Sequence, residues 1–472
     1  MGIADTVGRL WEGDILPALT DYIAIPNLSP AFEPDWATKG HMAEAVELVR
    51  AWCAARPIDG LTVEVHELEG RTPVVVVDVP AFGAAASADL DDTVLLYGHL
   101  DKQPPMSGWL DGLGPWTPVR REERLYGRGG ADDGYAAFAS LAAIEAVRAE
   151  GASHARCVLL IEASEESGSP DLPAHVEALA ARLGSPSLVM CLDSGCATFD
   201  RLWATTSLRG LAGVTVTVRV LEEGVHSGAA GGMVPSSFRL LRQLLDRIED
   251  ATTGQLLLPE LHVDIPPDRV AELTATATEL GGPGARFPLV PGLVPSHAGD
   301  PAAGLLARTW QPALAYIGAD GLPPTGQAGN VLRPSTTLGL SFRLPPTADP
   351  DAAIDAIERA LTIDPPSGAE VTVEHDHSAA GWAAPAFAPW LTRALDEASQ
   401  AAWGQSARTI GEGGSIPFMG MLGERFPTAQ FVVTGVLGPG TNAHGPNEYL
   451  HVPYATALTG AVAHLLAAHA RR

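Results

Sequence analysis

The chain has few cysteines, few basic residues for its acids, and no long apolar run. Cys53, Cys157, Cys191 and Cys196 lie scattered through 472 residues without a CxxC pair. That scatter argues against a disulfide scaffold, and free thiols fit a reducing compartment such as the cytoplasm. No stretch of ~20 consecutive apolar residues occurs, so no membrane span is expected. The first residues, MGIADTVGRLWEGDILPALTDYIAIP, carry acids and no apolar h-region, so they are not expected to be a signal peptide. Lys and Arg number 30 against 56 Asp and Glu, a formal net charge of −26. Such a balance repels phosphates and argues against a nucleic-acid partner. Three hydrolase or nucleotide signatures are missing as well: a GxSxG elbow, an HExxH helix and a GxxxxGK[ST] loop.

What is present is globular, with 46% hydrophobic and 18% charged residues, and long enough for two domains or more. The first ~200 residues alternate helical periodicity (HMAEAVELVRAWCAAR, YAAFASLAAIEAVRAE) with apolar strand-like runs (TPVVVVDV, DTVLLYGHLD, ARCVLLIEAS, PSLVMCLDSG). This texture predicts an α/β layer, with a mostly parallel sheet and helices on both faces. Near Leu208 it changes. LAGVTVTVRVLE, STTLGLSFRLPP and AEVTVEHDH alternate as half-buried strands do, and two amphipathic helices intervene. A small α+β domain is expected there, including an irregular Gly- and Pro-rich stretch from Gly254 to Pro324. The α/β texture returns after about Pro385. The second domain is therefore expected to be inserted, giving residues 1–207, 208–384 and 385–472.

Open α/β sheets build their sites beyond the carboxyl ends of the strands. Here DTVLLYGHLD ends with His99 and Asp101, CVLLIEASEE with Glu165 and Glu166, and SLVMCLDSG with Asp193. AQFVVTGVLGPGTNAHG leads to His444, and GRGGADDGY offers Asp132 and Asp133 before a helix. Each feature alone reads as an ordinary turn, solvated loop or helix cap. Together, at corresponding strand ends, they describe carboxylates and imidazoles that would repel one another unless cations joined them. Imidazole nitrogen and carboxylate oxygen suit zinc, and also manganese or cobalt.

The ordered motifs YGHLDKQP, LYGRGGADDG, IEASEESGS, CLDSG, VHSG, EGGSIP and GTNAHGPNE, from residue 97 to 448, resemble the co-catalytic dizinc metallopeptidase family of carnosinase, bacterial and cysteinylglycine dipeptidases, aminoacylase and carboxypeptidase G. The VHSG and EGGSIP forms are most similar to its carnosinase-like dipeptidase branch. The resemblance implies two divalent metal ions per chain. His99 and Asp193 would bind one, Glu166 and His444 the other, and Asp132 would bridge. Asp101 would orient His99, and Glu165 would act as general base. His226 would stabilise the oxyanion, within its own chain or across a dimer. Arg343 would hold the substrate carboxylate, with Gly414 and Ser415 offering N–H groups and Asn330 and His377 as further substrate-binding positions. The inserted domain would be a lid and a homodimer contact, and the substrate a small peptide.

One departure stands out. Many relatives have Asp-Asp-Lys-Gly where this chain has Asp132-Asp133-Gly134-Tyr135. The alternative activity within the same superfamily is an N-acyl-amino-acid deacylase or amidohydrolase, with the same metals and a different pocket.

Overall fold

The computed structural model describes residues 2–87, 92–280 and 289–472. Its main strands are β1 (Thr62–His66), β2 (Val74–Val79), β3 (Asp92–His99), β4 (Arg156–Glu162), β5 (Ser185–Cys191), β6 (Trp203–Leu208), β7 (Gly210–Arg219), β8 (Ala313–Asp320), β9 (Ser335–Leu344), β10 (Glu370–Ala379), β11 (Arg408–Glu412) and β12 (Gln430–Val433). The chain forms two compact units. The first is Met1–Thr206, Ala384–Ile410 and Met421–Arg472; the second is Ser207–Ala383 with Gly411–Gly420.

The first unit carries the large sheet, in the order β1-β2-β4-β3-β5-β12-β6, with β11 also on β6. Its centre, β4-β3-β5-β12, is parallel. The flanks are not: β1, β2 and β4 pair antiparallel, and so do β12 and β6. The expectation of a mostly parallel sheet is thus corrected to a mixed one. A continuous apolar run such as Val74–Val77 shows that a strand is buried on both faces, and says nothing of its direction. The helix Ala136–Ala149 is buried at eleven of its fourteen positions. A helix apolar all round belongs in the interior. It packs on β3, and the helices Val452–His469, Ile3–Leu10 and His41–Ala54 pack on it.

The second unit is an antiparallel sheet, β8-β9-β7-β10. Alternate residues Ala212, Val214, Val216 and Val218 of β7 and Leu340, Phe342 and Leu344 of β9 form its core with Leu240, Leu241 and Leu244 of the helix Ser237–Leu245 and Ile354, Ile357 and Leu361 of the helix Pro350–Thr362. The period-2 pattern puts the apolar side chains on the helix-covered face. The stretch Gly254–Pro324 is more regular than its composition suggests. It holds the helices Pro267–Leu280 and Pro301–Thr309 and strand β8, while residues 281–288 lie outside the described residues. Both helices open on proline, which is suited to a first turn yet reads in sequence as a breaker. Asp300 caps the second through Ala303 N at 3.0 Å. Leu273, Ala277, Leu305 and Trp310 give these helices a small core of their own. Strand β8 lacks alternation because most of it is exposed.

Candidate metal centre and anion-binding loop

Because β4, β3, β5 and β12 run parallel, their carboxyl ends share one sheet edge. His99 ends β3 opposite Glu162 of β4. Asp193 follows β5, Glu165 and Glu166 open a short 3-10 turn after β4, and the loop beyond β12 carries His444. The loop Gly130–Gly134 brings Asp132 and Asp133 against the end of β3. Gly98 permits this approach, since a Cβ there would lie 2.7 Å from Asp133 Oδ2.

Two triads result. Ligand atoms of His99, Asp132 and Asp193 lie within 4.8 Å of one another, and so do those of Asp132, Glu166 and His444. Asp132 belongs to both. Its Oδ1 is 3.5 Å from His99 Nε2, and its Oδ2 is 3.0 Å from His444 Nε2. Asp193 Oδ1 lies 3.7 Å from His99 Nε2, and Glu166 Oε2 lies 3.4 Å from His444 Nε2. His99 Nε2 is buried without a hydrogen-bond partner among the described residues. Buried polar atoms are rarely left unpaired. Oxygen and imidazole donors converging in this way fit divalent cations.

The electrostatics agree. Burial, and then the Asp193 charge, push the Glu165 carboxyl well above the usual range. Burial and the Asp132 charge push Glu166 up to about 8. Burial opposes charge on His444, but Asp132 and Glu166 overcome it and raise the imidazole to about 9. Against its burial, His444 and His99 hold the Asp132 carboxyl low, yet the Glu165 and Glu166 carboxyls beside them still resist ionising. That marks a cluster short of positive charge, which a bound cation would supply.

The surroundings fix these groups. His99 Nδ1 lies 3.2 Å from the Asp101 carbonyl and 3.5 Å from its carboxylate. The Asp101 carboxylate mainly accepts the backbone N–H of Glu165 and Glu166, both at 3.0 Å, so it ties the Glu165 turn to the end of β3. Gln103 Nε2 donates to Glu166 Oε2 at 2.6 Å. His444 adopts a left-handed backbone with φ 64°, as do Asn442 and Asn447. Arg128 holds that loop through the carbonyls of His444 at 2.9 Å and Gly445 at 3.0 Å. Arg128 in turn pairs with buried Glu448, which also accepts Gly129 N–H at 2.9 Å. Sequence reasoning missed Gln103, Arg128 and Glu448, although all three sit inside the quoted motifs.

The profile of the peptidase family M20/M25/M40 matches residues 95–468. The chain belongs to this metallopeptidase family. The cysteinylglycine-S-conjugate dipeptidase of Corynebacterium striatum is 28% identical over 375 residues, covering 77% of this chain and 80% of that one. The human beta-Ala-His dipeptidase is 31% identical over 185 residues, 37% of this chain and 35% of that one. Among solved structures, the dipeptidase Dug1p of Saccharomyces cerevisiae superposes with a TM-score of 0.77 at 21% identity, covering 100% of this chain and 98% of that one. Human carnosine dipeptidase 1 gives 0.74 at 20% identity, covering 100% and 98%. These structures share the M20 peptidase fold.

The remaining sequence-selected residues lie in the second unit, in separate places. Arg343 on β9 donates to Ser415 Oγ at 3.3 Å, and Ser415 Oγ donates to the Arg209 carbonyl at 2.5 Å. The Gly414 carbonyl accepts Arg209 N–H at 3.1 Å. Burial depresses the Arg343 guanidinium. His226 and Asn330 meet elsewhere, where Val225–His226 pairs with Val331–Leu332 and Ser227 N–H donates to the Asn330 carbonyl at 2.8 Å. His226 caps the short helix Ser227–Ala230, its Nδ1 accepting Gly228 N–H at 3.1 Å. That leaves Nε2 to carry the ring proton. His377 lies on β10 opposite Gly213, its ring over that glycine on the sheet face that carries Arg343, with β7 between the two strands.

Proposed function

We propose that the chain hydrolyses the amide bond of dipeptides and similarly small substrates with a free carboxylate. The observation that carries this reading is the pair of triads sharing Asp132 at one sheet edge, with Glu165 in the turn held by Asp101. His99 and Asp193 would hold one divalent cation, Glu166 and His444 the other, and Asp132 both; zinc suits these donors best, with manganese or cobalt as alternatives. Cations bound there would lower the pKa of water and polarise a carbonyl.

The chain's own groups do the rest. Glu165 takes a proton from the attacking water and passes it to the leaving amine. Asp101 holds the turn that aims Glu165. His226 Nε2–H donates to the oxyanion of the tetrahedral intermediate. Arg343, with the Gly414–Ser415 backbone, anchors the free carboxylate, and Asn330 and His377 complete the substrate contacts. The segment 208–384 carries the lid and dimer roles, flanked by catalytic segments 1–207 and 385–472. Free buried cysteines and the absence, among the described residues, of any helix able to cross a membrane suit a cytoplasmic home.

The test compares one dipeptide with its C-terminal amide, with zinc, manganese and cobalt supplied in turn. The dipeptide should be cleaved and the amide poorly. Arg343→Ala should lower kcat/KM for the dipeptide by at least ~10-fold, as expected for losing a charge-assisted hydrogen bond. Equal rates on acid and amide would overturn the carboxylate anchor.

A further inference from the structure

Among the described residues, the segment Gly411–Gly420 gathers three guanidinium groups but one carboxylate. Arg308 Nη2 is paired with Glu412 Oε2 at 2.5 Å. Among the described residues Arg343 reaches only Ser415 Oγ, a neutral partner. Arg209 is 9% exposed, and among the described residues it too has only neutral partners: Nε donates to the Gly413 carbonyl at 3.1 Å and Nη1 to the Gln311 carbonyl at 3.4 Å. The three surround one backbone stretch. A Cβ on Gly413 would lie 3.3 Å from Arg209 Nη2 and 3.4 Å from Arg308 Cγ, while Ser415 Oγ accepts from the Arg343 guanidinium and donates to the Arg209 backbone carbonyl. Arg209 shows the strain of this company: burial first, then the charges of Arg343 and Arg308, bring its guanidinium down to about 10.

Buried cations are normally paired, and guanidinium is the usual partner of carboxylates at bidentate sites. Three guanidiniums less Glu412 leave two positive charges. The substrate's terminal carboxylate neutralises one. We infer that Arg209 is a second anion-binding residue of this pocket and that the pocket selects substrates whose C-terminal residue bears an acidic side chain. The inference rests on the reading of Arg343 as the carboxylate anchor. It adds a specificity that this reading does not require. A Cβ on Gly414 would meet nothing within 4 Å, so that position leaves open space beside Ser415.

The experiment uses Ala-Glu and its uncharged isostere Ala-Gln on wild type, Arg209→Gln and Arg209→Lys, with circular dichroism to check folding. Wild type should favour Ala-Glu by at least ~10-fold in kcat/KM, the advantage shrinking with added salt. Arg209→Gln should bring the Glu:Gln ratio close to one, and Arg209→Lys should keep most of it. A merely structural Arg209 would change both substrates together and leave the ratio intact, which would overturn the inference. So would a wild-type ratio near one with Ala-Gln well cleaved, and that wild-type result decides even where Arg209→Gln does not fold. Cleavage of neither dipeptide would instead overturn the dipeptidase reading.

Discussion

Glu165 sits one residue before Glu166, yet the two acids face different tasks. Glu166 is engaged by Gln103 and faces His444, whereas no side chain among the described residues donates to the Glu165 carboxylate. That leaves Glu165 free to exchange protons. Glu165→Gln should cut kcat by at least ~100-fold, while elemental analysis still finds the metal content of wild type, about two ions per chain. Near-normal turnover would assign the base elsewhere. A second residue-scale prediction concerns stability. His154 donates from Nδ1 to the Ala155 carbonyl at 2.7 Å and accepts from Arg148 Nε at Nε2, 2.9 Å away. Burial lowers its pKa to about 4. The folded pKa is below the unfolded value of ~6.5, so the stability from this group is complete above pH 6.5 and is lost as pH falls toward 4, by roughly 3 kcal/mol at most. Urea midpoints measured from pH 7 to 4 should fall more steeply in wild type than in His154→Gln; parallel slopes would refute the assignment. The two residues also show what a sequence reveals. His99, Asp132, Glu166, Asp193 and His444 were legible because strand ends place side chains and the residue types are chemically distinctive. Arg209, Arg128 and Glu448 were not, because they act on backbone carbonyls or on each other across hundreds of residues.

Loops, more than strands, decide whether those ligands meet. The His444 loop has left-handed backbone at three non-glycine residues, a conformation that costs energy unless something holds it. Arg128 and Glu448 supply that hold and also fix Gly129 at the entrance to the Asp132 loop. Glu448→Gln should therefore weaken metal binding about 10-fold or more, as loss of groups supporting a ligand commonly does, read by titration against a coloured chelator. It should also lower the melting temperature, because Arg128 is left buried and unpaired. Unchanged metal affinity with a lowered melting temperature would restrict the pair to stability. The same loop accounts for the departure at Gly134. A Cβ there would lie 2.1 Å from Tyr22 Cε1, and Tyr22 is itself fixed by donating to the Leu100 carbonyl at 2.6 Å. Lysine has no room where this chain has glycine. Among the elements, the buried and the alternating strands were legible from their period. Strand direction, the proline-led helices of 267–309 and the affiliation of Gly411–Gly420 were not, since each is set by tertiary partners rather than by local pattern.

For the whole molecule, the question is how many copies act together. The second unit's sheet ends in two strands that differ in chemistry. Strand β10 shows Glu374, His375, Asp376 and His377 to solvent, and charges along an edge discourage pairing with another sheet. Strand β8 is the opposite: Tyr316 is 47% and Ile317 61% exposed, on an edge that lacks such a row of charges. A second copy is the natural cover for this strand in the proposed homodimer, because a two-fold contact needs only one self-complementary edge. Charge works against it, since each chain carries −26 and like charges repel until salt screens them. Light scattering at micromolar concentration should give twice the chain mass of 49.2 kDa, more completely at 150 mM than at 10 mM salt. Ile317→Asp should shift the mass toward that of one chain, because it buries an unpaired charge in the contact, while Glu374→Lys on the opposite edge should leave it doubled. A wild-type monomer in physiological salt would sink the dimer, and loss of the dimer through Glu374→Lys alone would move the contact to β10.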